Sequence, residues 1–144
     1  MDLVLPPDLE RFLTGYVRAY LRSDGQDVEV DSVEPESLAL PMSHPLIVVR
    51  DDSGARRSQV TFDRQVGVSI LGGSRADSEG AKNLARFTMA VFCNEAIIGA
   101  DGSPIASINW DDCNGPYAVP DEMDVARFYF TVGYTVVGDF CYHR

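Results

Sequence analysis

SQVTFDRQVGVSILGGSRADSEGAKNLARFTMAVFC, residues 58–93, decides the fold. Val60, Phe62, Val66, Val68 and Ile70 share one parity, while Thr61, Asp63, Gln65 and Ser69 share the other. A period of two over this length predicts a strand with one buried face. Arg64 interrupts the apolar parity, so the strand bends there or reaches a sheet margin. Gly72-Gly73 ends it, because paired glycines favour turn dihedrals and pack nothing in a sheet. The polar run 74–77 supplies two good capping residues. Ala81, Leu84, Ala85, Thr88, Val91 and Phe92 then recur at three and four, the stripe of an amphipathic helix. The centre therefore reads strand, turn, helix, with the helix laid back across the sheet.

Upstream, Pro6-Pro7-Asp8 predicts a helix start, with Asp8 as the cap. Leu9, Phe12, Leu13, Tyr16, Val17, Tyr20 and Leu21 follow at helical spacing, and Asp24-Gly25 closes the run. On that stripe Tyr16 and Tyr20 read as core or rim rather than a stacking platform. Residues 27–31 alternate and give a short strand with an acidic face of Asp27, Glu29 and Asp31. Residues 34–45, with three prolines, read as an irregular loop. Residues 46–50 are apolar and β-branched, and 46–71 together predict a hairpin with a charged tip.

Downstream, 94–104 reads as loop, 105–110 as strand, and 111–123 as loop again with a turn at Asn114-Gly115-Pro116. In 125–138 one parity holds Ala126, Phe128, Phe130, Val132, Tyr134 and Val136, and the other is also rich in β-formers. That predicts a central or well-covered strand. The expected fold is a single α+β domain over 1–144. Two main helices flank a mixed, largely antiparallel sheet that includes strands 60–71 and 127–137.

The 144 residues suffice for one core without staples. No apolar run approaches the roughly 20 residues of a membrane helix. The N-terminus has no basic region before an apolar run, so a secretory leader is not expected. Cys93, Cys113 and Cys141 match neither a zinc pattern nor a disulfide framework, which favours reduced thiols. Net charge is −10, with the acids in the two flanks and residues 51–100 neutral. A groove that grips nucleic acid needs clustered bases, and this bias is the opposite.

Sites of chemistry are sparse. His44 and His143 have no neighbouring ligand pattern. Gly72-Gly73 precedes a helix, but no phosphate-loop string accompanies it. Asp111-Asp112 reads as a solvated turn, and Cys113 lacks an identifiable base. The expectation is a non-enzyme with no cofactor and no metal.

The order of elements carries a resemblance. Its strings are HPLIVVRDD (residues 44–52), VTFDRQVGVSILGG (60–73), NLAR (83–86) and NGPYAVPDEMDVARFYFTVGYTVVG (114–138). Over almost its whole length the chain resembles the tail terminator proteins of long, non-contractile-tailed phages, especially those infecting actinobacteria. The resemblance implies a hexameric ring on the head-proximal end of the tail tube, within the virion. Such a ring stops tube growth, docks to the head connector and lets double-stranded DNA pass. It implies as partners the tail tube protein, the head–tail connector or stopper protein and further copies of the chain, with no membrane. Two alternatives stay open: another head–tail joining protein, or a small α+β ligand-binding or enzymatic domain.

Six copies would carry a charge of about −60, and an acidic channel repels phosphates. Asp27, Glu29 and Asp31 are the candidate acidic lumen or surface face. Asp51, Asp52, Arg56 and Arg57 are the candidate subunit or partner contact, because opposite charges at one exposed tip can pair across a head-to-tail junction.

Overall fold

The alternating run becomes a twelve-residue strand, Thr61–Gly72, and the C-terminal run becomes another, Ala126–Val137. They pair antiparallel along their full length, from Thr61 opposite Val137 to Gly72 opposite Ala126. The computed structural model describes residues 2–142. Its order is β1 (Asp2–Leu5), α1 (Leu9–Ser23), β2 (Glu29–Asp31), β3 (Leu46–Asp51), β4 (Thr61–Gly72), α2 (Glu79–Phe92), β5 (Ile105–Ile108), β6 (Asn114–Val119), β7 (Ala126–Val137) and β8 (Asp139–Tyr142). His143 lies outside the described residues.

The main sheet runs β2-β3-β4-β7-β5, and β6 lies along the other half of β7. Every pairing is antiparallel except β2 with β3. Two helices and this mixed, mostly antiparallel sheet make one α+β domain. Both helices cover the same sheet face. There Leu9, Leu13, Val17 and Leu21 of α1 and Ala81, Leu84, Ala85, Val91 and Phe92 of α2 join one core cluster with Val66, Val68, Ile70, Phe130, Val132 and Val136. Phe92 meets Phe130 edge-on at 5.6 Å. The buried Tyr134 hydroxyl donates to the Phe92 carbonyl at 2.6 Å, satisfying one of the unpaired carbonyls at the end of α2.

Helix α1 is capped at both ends. The Asp8 carboxylate accepts from the Arg11 amide at 3.2 Å. At the far end the Gly25 amide donates to the Arg22 carbonyl and the Gln26 amide to the Leu21 carbonyl, both at 3.0 Å. This paired closure requires the left-handed backbone of Gly25, at φ +76°. Helix α2 starts later than residues 74–77 suggested. Ser74 and Asp77 bond each other in a turn, and Ser78 is the cap, without a side-chain bond.

Two other expectations are corrected. Residues 114–119, read as loop with a turn, form an edge strand. The register slips between Asn114 and Tyr117, which lets a glycine and a proline sit in a strand that pairs on one side only. The chain ends were not read as strands, yet β1 and β8 pair into a separate two-stranded ribbon. Of the two readings of Arg64, the margin holds on one side: the regular β3–β4 register stops at Asp51 opposite Val66, while β4 stays paired with β7 through Arg64 opposite Tyr134. The loop 34–45 is irregular as expected, but it also covers the second sheet face. Leu38, Leu40 and Met42 pack there on Leu46, Val48, Leu71 and Val125.

Phe130 is fully buried between the β4–β7 pair and α2. Phe130→Asp is expected to destabilise the protein by several kcal/mol, about the cost of an unpaired buried charge. Val33→Asp, at an exposed loop position, should stay within about 0.5 kcal/mol of the parent. Urea unfolding of both variants checks this, and equal midpoints would remove Phe130 from the core.

Candidate interaction surfaces

The charges of the hairpin tip are engaged within the chain, although Asp52, Arg56 and Arg57 stay exposed. Asp51 pairs with Arg64 at 3.4 Å, and its amide donates to the Glu10 carboxylate at 2.8 Å. Asp52 lies 4.0 Å from Arg50 and accepts from the Tyr129 hydroxyl at 3.4 Å. Arg56 donates to the carbonyls of Val4, Ser58 and Gln59 and lies over the Phe62 ring at 4.6 Å. Arg57 pairs with Asp63 at 2.7 Å. Among the described residues no ion pair joins Asp51 or Asp52 to Arg56 or Arg57, so the expected juxtaposition of opposite charges at one tip is corrected. The reason is local. The chain 53–55 still bonds to β4, through Gln65 to Ser53 and Asp63 to Ala55, and this spreads the four residues along a folded edge.

Asp27, Glu29 and Asp31 are all exposed and on one parity. Val30 faces the helices, and Glu29 and Asp31 stand opposite Leu46 and Val48. The two acids therefore belong to the face away from the helices. His44 Nε2 lies 2.8 Å from a Glu29 carboxylate oxygen, and that hydrogen bond raises the histidine pKa above its ordinary value. Nearby, Arg127 makes two bonds to Glu34, at 2.7 and 2.9 Å, and one to Asp121 at 2.9 Å. The bonds from Arg127 hold the Glu34 carboxyl below its ordinary range. Asp121 is held low by the Met123 amide first and then by Arg127. Both carboxylates contribute stability above the ordinary carboxylate range, and it is lost as pH falls through the lowered values. Sequence reading passed over Arg127 because neither of its partners is its neighbour in the chain.

Beyond loop 34–45 the face away from the helices is polar and half-buried. Tyr129 lies across Gly67, where a Cβ would fall 2.5 Å from the Asp52 carboxylate and into the tyrosine ring. Gly133 likewise admits Asp112, whose Cβ would sit 2.5 Å from an added methyl. Gln65 donates to the Asp112 carbonyl at 2.9 Å. Tyr117 meets Tyr129 edge-on at 5.9 Å. Asp111 and Asp112 are exposed in a short 3-10 turn. Cys93, with Cys113 within hydrogen-bonding reach, is pushed up to about 12, mainly by burial. A thiol so raised stays protonated at neutral pH and is a poor nucleophile.

Large apolar side chains also reach the surface. Trp110 is 54% exposed, and the ribbon leaves Leu3 40%, Leu5 48% and Phe140 61% exposed. An open groove of about 580 Å³ lies between α1 and loop 101–104, lined by Arg11, Gly15, Tyr16, Asp101 and Asp139 among others. No group of three or more metal-ligating side chains occurs among the described residues, and no helix there is long and apolar enough to cross a membrane. No family model matches the chain, and no curated protein does.

The His44–Glu29 contact has a defined sign. It favours the charged ring, so its contribution is full below the ordinary histidine pKa, about 6.5, and is lost as pH rises through the raised value. In an NMR titration His44 should titrate above a model peptide, and Glu29→Gln should bring it back. An unshifted His44 in the parent would show that the pair is not populated.

Proposed function

We propose that this chain is a structural virion protein that assembles as a ring, of six copies, on the head-proximal end of a phage tail tube. The ring ends tube growth and presents the surface that joins the head connector, and DNA passes through its lumen. The reading assigns no catalytic residue and no cofactor.

The observation that carries it is the apolar surface a single copy leaves uncovered. The β1–β8 ribbon packs Val4 against the core and leaves Leu3 and Leu5 exposed on one face and Phe140 exposed on the other, and Trp110 in the 3-10 turn is exposed as well. Large aromatic and aliphatic side chains left exposed by one copy are of the kind that assembly buries. The resemblance to tail terminators supplies the kind of assembly. The acidity supports the DNA passage: a chain of net charge −10 repels the phosphate backbone rather than gripping it.

The test is genetic and structural together. Particles made without this chain should carry tails of irregular, mostly excessive length that fail to join heads. Complementation with the parent chain should restore uniform length and infectivity. Uniform tails joined to heads in its absence would overturn the proposal. Uniform tails that stay separate from heads would place the chain among the other head–tail joining proteins instead.

A further inference from the structure

Twelve bases must be accounted for in so acidic a chain. The two helices hold five of them against two acids, and the rest of the chain holds seven bases against twenty acids. The helices are therefore net basic and the rest of the chain net acidic.

Most bases are already engaged. Arg57, Arg64 and Arg127 are in close ion pairs, Arg50 is within reach of Asp52, and Arg56 and Arg75 donate to backbone carbonyls. Arg18 donates to the Val30 carbonyl at 2.6 Å, Arg22 lines the same hollow as Asp27 and Asp31, Arg11 lines the α1 groove with Asp8, Asp101 and Asp139, and Arg144 lies outside the described residues. Lys82 and Arg86 are different. They are exposed one helical turn apart on α2, and neither enters an ion pair among the described residues. Arg86 reaches only the Asn83 side chain, at 3.4 Å.

The complementary row is Asp27, Glu29 and Asp31. It is exposed at the β2 edge, which bonds to β3 on one side only, and its three acids outnumber the charges of its own chain's Arg18 and Arg22 in the same hollow, with His44 on Glu29. The two patches lie at different places on one copy. Helix α1 packs over β2 and β3, while α2 packs over β4, β6 and β7. A patch and its complement at separate places on one chain cannot meet within it. They can meet between copies, in a heterologous contact that repeats and closes into a ring.

We infer that Lys82 and Arg86 of one copy dock on the Asp27–Glu29–Asp31 row of the next, so that this pairing sets the order of copies around the ring. The inference rests on the ring reading above and names its junction. It places the acidic row between copies rather than along the lumen. Charge complementarity of this kind acts mainly on register and rate of association, and reversing it sets like charges against each other.

The test is a charge swap in particle-forming cells, with the native chain replaced by variants and copies per purified tail counted by quantitative mass spectrometry. K82E/R86E should fold as the parent does, since both residues are exposed on one helix face, and circular dichroism checks this. Its retention on tails should fall on the order of tenfold. Adding D27K/E29K/D31K in the same chain should restore much of it. Full retention of K82E/R86E overturns the inference and leaves the ring reading standing. Loss without rescue by the swap overturns the pairing with the acidic row. A parent chain absent from tails overturns the ring reading, and the inference falls with it.

Discussion

Twelve consecutive residue pairs join β4 to β7, and the rest of the structure depends on that pairing. Register in a sheet is strict because a one-residue slip turns every side chain to the other face. Here a slip of β7 against β4 would turn Phe130, Val132 and Tyr134 away from the helices and bring up Thr131 and Thr135 beside Val66, Val68 and Ile70. With that register in place, β3 adds to one side and β5 and β6 share the other. Both helices then have one continuous apolar floor. The glycines on the opposite parity, Gly67 and Gly133, fit the same logic, since each leaves room for a side chain to lie flat across the sheet.

How much of this was legible depended on distance along the chain. The two long strands and both helices were readable because period and capping are local. Asp8 beside a helical stripe and Gly25 after it are complete signals in themselves. The β1–β8 ribbon was not readable, because it pairs residues from opposite ends of the chain and each strand has only four residues. Strand β6 was missed because Asn114-Gly115-Pro116 is a strong turn signal. Its neighbour β7 overrides that signal by offering an edge where a slipped register costs little.

The candidate surface divided the same way. The acidity of Asp27, Glu29 and Asp31 follows from alternation and is seen as expected, all three exposed. The partners of Asp51, Asp52, Arg56 and Arg57 were not legible, because they are tertiary: Arg64, Tyr129, the backbone near Val4, and Asp63. Sequence shows which charges exist, and only the fold shows which are already engaged. The bases left over on α2 become visible only after the others have been assigned.

Location in the particle bears most directly on the role proposed for the chain. Purified tails can be labelled with gold-conjugated antibody against this protein and imaged by electron microscopy. The expected result is a single cluster of label at the end that faces the head, on every tail. Label spread along the tube, gathered at the distal tip, or missing from intact tails would contradict it.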